Sequence, residues 1–190
     1  MTHNFGKSEE FRKYVIGLQL EDVELYTVWG TDMVADDEDK LLVENGRLIV
    51  FQSLDRLEMH LKNETHPFMD KQNFEKWIIQ ENLKQVYNTN DLRMLNNFAS
   101  TLLESKVTAL SILNSLNLIE DFFIQINEND INNLYHSNSI IGLKDFIYNN
   151  YFWKGKSRKL ADRKFENGDV KEILKSIYYS FNSKMEIVSI

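Results

Sequence analysis

The strongest hydrophobic pattern in the chain lies at Val107–Ile126, where apolar side chains cover most of a predicted helix. Ile112, Leu116, Ile119 and Phe123 recur at steps of four and three, the spacing that places residues on one helical face. Other leucines and phenylalanines widen that face until only a narrow polar side remains. A helix of this kind is predicted to be buried on several sides, at the centre of the fold.

The polar residues left in this helix are also ordered. Asn114, Asn117 and Asp121 are three and four positions apart, so they form a stripe on one side. We expect this polar stripe to be structural and to join the helix to its neighbours through buried hydrogen bonds. Asp121 is the best single candidate for a catalytic carboxylate, but a structural role is favoured.

The N-terminal quarter alternates between apolar and polar positions, which is typical of strands. Arg12–Leu20 and Val23–Trp29 are predicted to pair as a hairpin across Glu21–Asp22. A second hairpin is predicted around Asn45–Gly46, because both residues tolerate the positive φ of a type I′ turn. The expected sheet is an antiparallel meander of four strands.

The later part of the chain has helical periodicity, with caps predicted at Ser53, Asp91, Ser139 and Asp169. A sheet with one apolar face needs a covering layer, so the sheet is expected to pack on the C-terminal helices. The predicted fold is therefore α+β. We expect one domain over residues 1–190, with a sheet part at about 12–52 and a helical part at about 53–183.

Several kinds of site are excluded by what the sequence lacks. It has no cysteine, which removes disulfides, thiolate metal sites and cysteine nucleophiles. Its seven glycines are too far apart for a phosphate-binding loop, and no histidine has the spacing of a helical metal motif. His60 and His66 could approach each other around Pro67, but exposed loop histidines are the simpler interpretation. We expect no metal and no cofactor.

The formal net charge of −7 is unevenly distributed. Glu21–Glu44 contains nine acids and one lysine, and its loop Gly30–Asp39 is strongly acidic. The order of acids there does not fit an EF-hand, so a solvated loop or a docking site for a basic partner is favoured over a cation site. A basic run at Lys154–Lys164 follows three aromatic residues, but in an acidic protein a solvated helix is favoured over nucleic-acid binding.

Localisation is predicted from the absence of targeting signals. The first twenty residues show no secretory signal, and no apolar run is expected to supply the ~20 residues that cross a bilayer. Together with the lack of cysteine, this predicts a cytoplasmic protein without a membrane partner. The net charge of −7 predicts no nucleic-acid partner, because phosphates are bound by an excess of Lys and Arg.

Five segments in this order resemble small bacterial immunity proteins of contact-dependent inhibition and polymorphic toxin systems. They are ELYTVWG at Glu24–Gly30, NGRLIVF at Asn45–Phe51, NFEKWI at Asn73–Ile78, SILNSLNLIEDFF at Ser111–Phe123 and LYHSNSIIGLKDFIYNNYFW at Leu134–Trp153. The resemblance covers about residues 14–153. It implies a non-enzymatic protein that binds and neutralises a cognate basic toxin, of which a nuclease is one kind.

The acidic loop is our choice for the toxin-binding surface, with two aromatic residues as buried anchors. The expected partner-binding residues are Asp32, Asp36, Asp37, Glu38, Asp39, Trp29 and Tyr26. Two alternatives stay open: a small cytoplasmic enzyme with an unrecognised carboxylate site, and a self-assembling regulatory or scaffold module.

Overall fold

A computed structural model describes residues 6–35, 37–63, 66–152, 165 and 168–188 of the chain. The α+β prediction is confirmed, with sheets in the N-terminal part and mostly helices after it. The chain divides into two compact units, Met1–Asn90 with Lys184–Ile190, and Asp91–Ser183. The first unit therefore extends well past residue 52 and includes two helices that the sequence assigned to the helical part.

The first unit combines three helices with all the described strands. Its elements are α1 (Gly6–Phe11), β1 (Lys13–Gln19), β2 (Glu24–Asp32), β3 (Glu38–Leu41), β4 (Val43–Glu44), β5 (Arg47–Val50), α2 (Leu54–Asn63), α3 (Lys71–Gln80), β6 (Asn88–Asp91, at the boundary) and β7 (Met185–Ile187).

The strands form two sheets, one with the order β3-β2-β1-β6 and one with the order β4-β5-β7. The first predicted hairpin is confirmed as the antiparallel pair of β1 and β2. The second is confirmed as β4 and β5, with positive φ at Asn45 and Gly46 as a type I′ turn requires.

The predicted four-strand meander is wrong in its composition. In the observed sheet the strand that follows β2 is β3, which begins inside the segment expected to be an acidic loop, and the fourth strand is β6, which pairs with β1. Strand β5 instead pairs in parallel with β7, and Leu48 lies opposite Met185, near the other end of the chain. Local periodicity identifies a strand, but it does not identify a partner so distant in sequence.

The hydrophobic core of the first unit lies between one face of the larger sheet and helices α2 and α3. Val15 and Val28 are opposite each other in the register of β1 and β2 and are both buried. Leu57 from α2 and Trp77 from α3 are fully buried in the same cluster. Ser53 caps α2 as predicted, since its Oγ accepts the Arg56 amide.

The second unit is built from helices. They are α4 (Arg93–Asn96), a 3-10 helix (Ser100–Glu104), α5 (Lys106–Gln125), α6 (Asn129–Tyr135), α7 (Asn138–Tyr151) and α8 (Val170–Ser183). The cap predicted at Asp91 precedes a shorter helix than expected, because the Asp91 carboxylate accepts the Arg93 amide at 3.2 Å but α4 ends at Asn96. The cap predicted at Ser139 is displaced, since Ser137 Oγ accepts the Ile140 amide at the start of α7.

Helix α5 is the predicted central helix, and its N-cap is Ser105. Ile112, Leu116, Ile119 and Phe122 are completely buried, and the Phe122 ring meets the Phe181 ring of α8 edge to face at 5.2 Å. The predicted apolar face of this helix is therefore confirmed as part of the core of the second unit.

By length and composition, α5 could cross a bilayer, with a mean hydropathy of 1.3, which differs from the expectation that no apolar run would suffice. Its polar residues are uncharged over much of its length, so the leucines and isoleucines dominate the average. Half of the tested stretch is buried inside the protein. Such burial is consistent with the core helix of a soluble protein.

Candidate functional site

The acidic segment forms a β-hairpin rather than an open loop. Strand β2 continues to Asp32, which is opposite Glu38 at the start of β3. The turn between them is closed by the Glu38 amide, which donates to the Ala35 carbonyl at 2.9 Å, and Asp37 has a φ of 58°. Aspartate adopts this left-handed conformation more readily than most residues, so the local sequence suits the turn.

Asp32, expected on the partner-binding surface, is completely buried, and this prediction is wrong. Its carboxylate accepts the Met69 amide at 2.7 Å, the Lys40 ammonium at 2.9 Å and the Val34 amide at 3.2 Å. Burial alone would raise the pKa of Asp32, but these hydrogen bonds outweigh it and lower the pKa to about 2. The charge serves the fold of the hairpin and is not available to a partner.

Three of the other predicted acids are exposed on the hairpin, while Asp36 lies outside the described residues. Asp37 pairs with the Arg12 guanidinium at 3.0 Å, and Asp39 accepts the Thr31 hydroxyl at 2.7 Å. Glu38 lies 3.7 Å from Lys40 with 65% of its side chain exposed. We call Asp37, Glu38 and Asp39 the acidic rim.

The two predicted aromatic anchors are not brought together. Tyr26 and Trp29 are three residues apart on one strand, so they point to opposite faces of the sheet. Tyr26 packs against the core of the first unit, and its hydroxyl donates to Glu24 at 3.3 Å. Trp29 stacks on Tyr14, with ring centroids 5.6 Å apart. Both are half-buried, and neither lies at the tip of the hairpin.

The tip carries apolar residues that the sequence reasoning missed. Met33, Val34 and Met69 are 48%, 64% and 62% exposed, and the informative feature is that the three lie around one pocket. They line an open pocket of about 520 Å³ whose other lining residues are Phe11, Asp70, Lys71, Gln72, Asn73 and Lys76. We call Met33, Val34 and Met69 the apolar tip. Met33 and Val34 interrupt a run of acids, a signal that could have been noticed, whereas nothing local connects Met69 with them.

Two buried aspartates hold the apolar tip by crossed hydrogen bonds. Asp32 accepts the Met69 amide at 2.7 Å, and Asp70 accepts the Met33 amide at 3.3 Å. Lys13 neutralises Asp70 through an ion pair of 2.8 Å. The segment before the hairpin turn is thus tied to the start of α3 by charged, water-excluded contacts, which fix the backbone that carries the exposed side chains.

The polar stripe of α5 is less buried than the sequence predicted. Asn114 is exposed, so the expected buried hydrogen bond is wrong for this residue, whereas Asn117 and Asp121 are half-buried. The polar side chain of this helix that is completely buried is Ser115. The helix packs on slightly less than its whole circumference, and Asn114 marks the side turned toward water.

The histidines that could have approached a metal have separate environments. His60 is buried, 5.0 Å from the Phe51 ring and 3.3 Å from Glu44. His66 stacks on Phe74 at 3.9 Å, and burial lowers its pKa. Within the part of the chain that the structure describes, His, Asp and Glu form no group of three or more that could hold a metal ion. The basic run predicted at Lys154–Lys164 lies outside the described residues.

Comparisons with known proteins connect this chain to a fold rather than to a family. No family model and no curated protein matches the sequence. The chain is similar in structure to the C-terminal domain of SatS, solved in complex with bromine, with a TM-score of 0.66 and 13% sequence identity. The similarity covers 95% of this chain and 96% of that one, and at this identity it shows a shared fold.

Proposed function

We propose that this chain is a non-enzymatic binding protein of the cytoplasm that holds a basic toxin domain through its β2–β3 hairpin. The observation that carries the proposal is the apolar tip, exposed beside the acidic rim and positioned by buried ion pairs. The toxin is suggested by the resemblance of the sequence to immunity proteins, and the basic character of the partner by the charge of the rim.

The apolar tip has the features of the centre of a protein interface. Soluble proteins seldom expose several adjacent apolar side chains without a binding role. Methionine suits such a role because its unbranched thioether adapts to the shape of a partner. Burying Met33, Val34 and Met69 against a partner would supply the apolar contact area, and the pocket beside them would receive an anchoring side chain.

The acidic rim supplies the electrostatic part of the interface. Glu38 and its neighbours project from the same hairpin as Met33 and Val34. Around an apolar centre, charged groups mainly accelerate encounter with a partner of opposite charge and select against others. The net charge of −7 adds to this attraction at long range. On a nuclease, the carboxylates would occupy the cationic surface that otherwise contacts phosphate.

The crossed hydrogen bonds reduce the cost of binding. A flexible loop loses conformational freedom when it docks, and this loss subtracts from the affinity. Here Asp32 and Asp70 hold the backbone at Met69 and Met33 before any partner arrives. Preorganisation of this kind favours a tight and slowly dissociating complex.

The proposal is tested by co-expressing the chain with the product of the adjacent gene, which the proposal identifies as the toxin, and measuring growth and complex formation. We expect the chain to restore growth and to co-purify with that product. A variant with Asp37→Asn and Glu38→Lys should associate more slowly at low ionic strength and show a weaker salt dependence of the association rate. Asparagine is chosen at residue 37 because it tolerates the positive φ.

The matched control is Glu21→Lys with Asp22→Asn, which changes the net charge equally in the turn at the other end of β2. It should keep most of the association rate of the wild type. Equal slowing by both variants would move the interface away from the hairpin. Failure of the wild type to bind or neutralise the adjacent toxin domain would overturn the proposed function.

A further inference from the structure

Methionine is the sulfur-containing residue of this protein, which has six methionines and no cysteine. Among the described ones, Met33, Met59 and Met69 are exposed, at 48%, 42% and 62%. Met94 and Met185 are half-buried. Oxidation of a thioether depends on access of the oxidant to sulfur, so the three exposed residues are expected to react before the half-buried ones.

Two of these three lie together at the apolar tip, where both line the open pocket. Their proximity is built into the fold, since each backbone amide is held by a buried aspartate. Met59 is on α2, outside the set of residues that line the pocket, and its carbonyl accepts the Asn63 side chain at 2.9 Å. Met33 and Met69 are therefore exposed on the docking surface, and Met59 is an exposed methionine away from it that serves as a control.

We propose that Met33 and Met69 are a peroxide-sensitive modification site that controls docking of the basic partner. This inference rests on the proposed function, because the docking surface is the same. Hydrogen peroxide transfers one oxygen atom to the thioether sulfur. The sulfur is oxidised by two electrons to the sulfoxide, the O–O bond breaks, and the peroxide leaves as water.

A sulfoxide at either position changes the centre of the interface from apolar to polar. Its oxygen is a hydrogen-bond acceptor that water satisfies in the free protein. In the complex that oxygen would be buried against a surface matched to a thioether, and an unsatisfied buried polar group is costly. Each sulfoxide should weaken binding about tenfold, mainly through faster dissociation.

The modification should leave the fold intact. The contacts that position the tip are made by the backbone amides of Met33 and Met69, not by their side chains. Both side chains are directed to solvent to a large extent, so the sulfoxide oxygen can be hydrated without moving the core. Because reductases restore methionine from its sulfoxide, the change is reversible.

The test begins with the free protein. It is titrated with hydrogen peroxide, and sulfoxide formation is followed by peptide mass mapping. We expect Met33, Met59 and Met69 to be oxidised before Met94 and Met185, with unchanged circular dichroism. Binding to the toxin domain from the adjacent gene is then measured with untreated protein, with oxidised protein and with oxidised protein treated with methionine sulfoxide reductase. Affinity should fall after oxidation and return after reduction.

Two variants distinguish the effect of oxidising Met33 and Met69 from that of oxidising Met59. In Met33→Leu with Met69→Leu, the ratio of affinities before and after peroxide should be close to one, because leucine cannot be oxidised. Met59→Leu should lose affinity on oxidation as the wild type does. Untreated wild type that does not bind contradicts the proposed function and this inference with it. Untreated binding that peroxide leaves unchanged, or a loss that persists in the Met33→Leu and Met69→Leu variant, overturns this inference alone.

Discussion

Lys13 and Asp70 form an ion pair of 2.8 Å in which the two side chains are 0% and 3% exposed. Lys13 begins β1 and Asp70 directly precedes α3, so the pair joins the sheet to a helix across 57 positions of sequence. The Lys13 ammonium also donates to the carbonyl oxygens of Thr31 and Phe11. Burial lowers the pKa of Lys13 against the opposing influence of Asp70. The pair also holds the Asp70 carboxylate that accepts the Met33 amide of the hairpin.

Replacing Lys13 by methionine should destabilise the protein strongly. The substitution leaves the Asp70 carboxylate buried without its cation, and breaking a buried pair in this way costs about 3–5 kcal/mol. The midpoint of urea denaturation measures the effect. Lys62→Met is the control, because Lys62 forms an exposed pair with Glu58 on α2 and should cost at most about 0.5 kcal/mol.

A double-mutant cycle tests whether the two charges act as a unit. The double variant Lys13→Met with Asp70→Leu should lose less free energy of unfolding than the two single variants lose together, because neither charge is left without its partner. If the losses of the two single variants simply add, Lys13 and Asp70 contribute separately to stability, which would contradict the role of their ion pair.

Gly30→Ala should also destabilise the first unit. A methyl group there would lie 2.6 Å from the Arg12 carbonyl oxygen and 2.6 Å from Lys13 Cδ, so the strands would have to separate. Overpacking of this kind costs about 1–3 kcal/mol. Thermal unfolding gives the change in free energy.

Gly142→Ala provides the contrast to Gly30→Ala. Gly142 lies inside α7, and a methyl group there meets no heavy atom within 4 Å. Alanine should stabilise this helix by about 0.5–1 kcal/mol, because it removes the conformational freedom of glycine. Destabilisation by Gly142→Ala would show that the methyl group is less accommodated than the geometry indicates.

The two sides of α5 should respond very differently to truncation. Leu116 is completely buried, so Leu116→Ala should cost about 2–5 kcal/mol in the free energy of unfolding. Asn114 is exposed, and Asn114→Ala should be neutral or slightly stabilising, since alanine favours helices by up to about 0.7 kcal/mol. A large cost at Asn114, measured by urea denaturation, would revive the predicted structural role of the polar stripe.

Patterns that depend on neighbouring residues could be predicted from the sequence. The alternation in β1 and β2, the Asn45–Gly46 turn and the apolar face of α5 were all found in this way. Each of these features is determined by local backbone preference together with a period of two or about 3.6 residues. The α+β class follows from them.

Features that depend on distant residues could not be predicted. The pairing of β5 with β7 joins Leu48–Val50 to Met185–Ile187, which are far apart in the sequence. Asp32 looked like one more acid of an exposed loop, and its burial depends on Met69 and Lys40, which have no local relation to it. The strand pattern of the acidic segment cannot be recognised from hydrophobicity. Asp32 and Lys40 are charged but face the core, where apolar residues are usual.

The acid stability of the protein should depend on Asp32. Its pKa falls from 3.8 in the unfolded chain to about 2 in the folded protein, so the ionised form favours folding. This contribution is complete above about pH 4 to 5 and is lost as the pH falls through the folded pKa of about 2. A shift of this size corresponds to about 2 kcal/mol.

Urea denaturation measured between pH 2 and pH 6 tests this assignment. Asp32→Asn should be less stable than the wild type at pH 6, and the difference should shrink as the pH approaches 2, because the wild-type carboxyl also becomes neutral. Asp22→Asn, in the exposed turn before β2, should leave the decline in stability between pH 4 and pH 2 as steep as in the wild type. If Asp32→Asn declines as steeply as the wild type over that range, another buried carboxyl carries the acid sensitivity, and the Asp32 hydrogen bonds contribute less than their geometry implies.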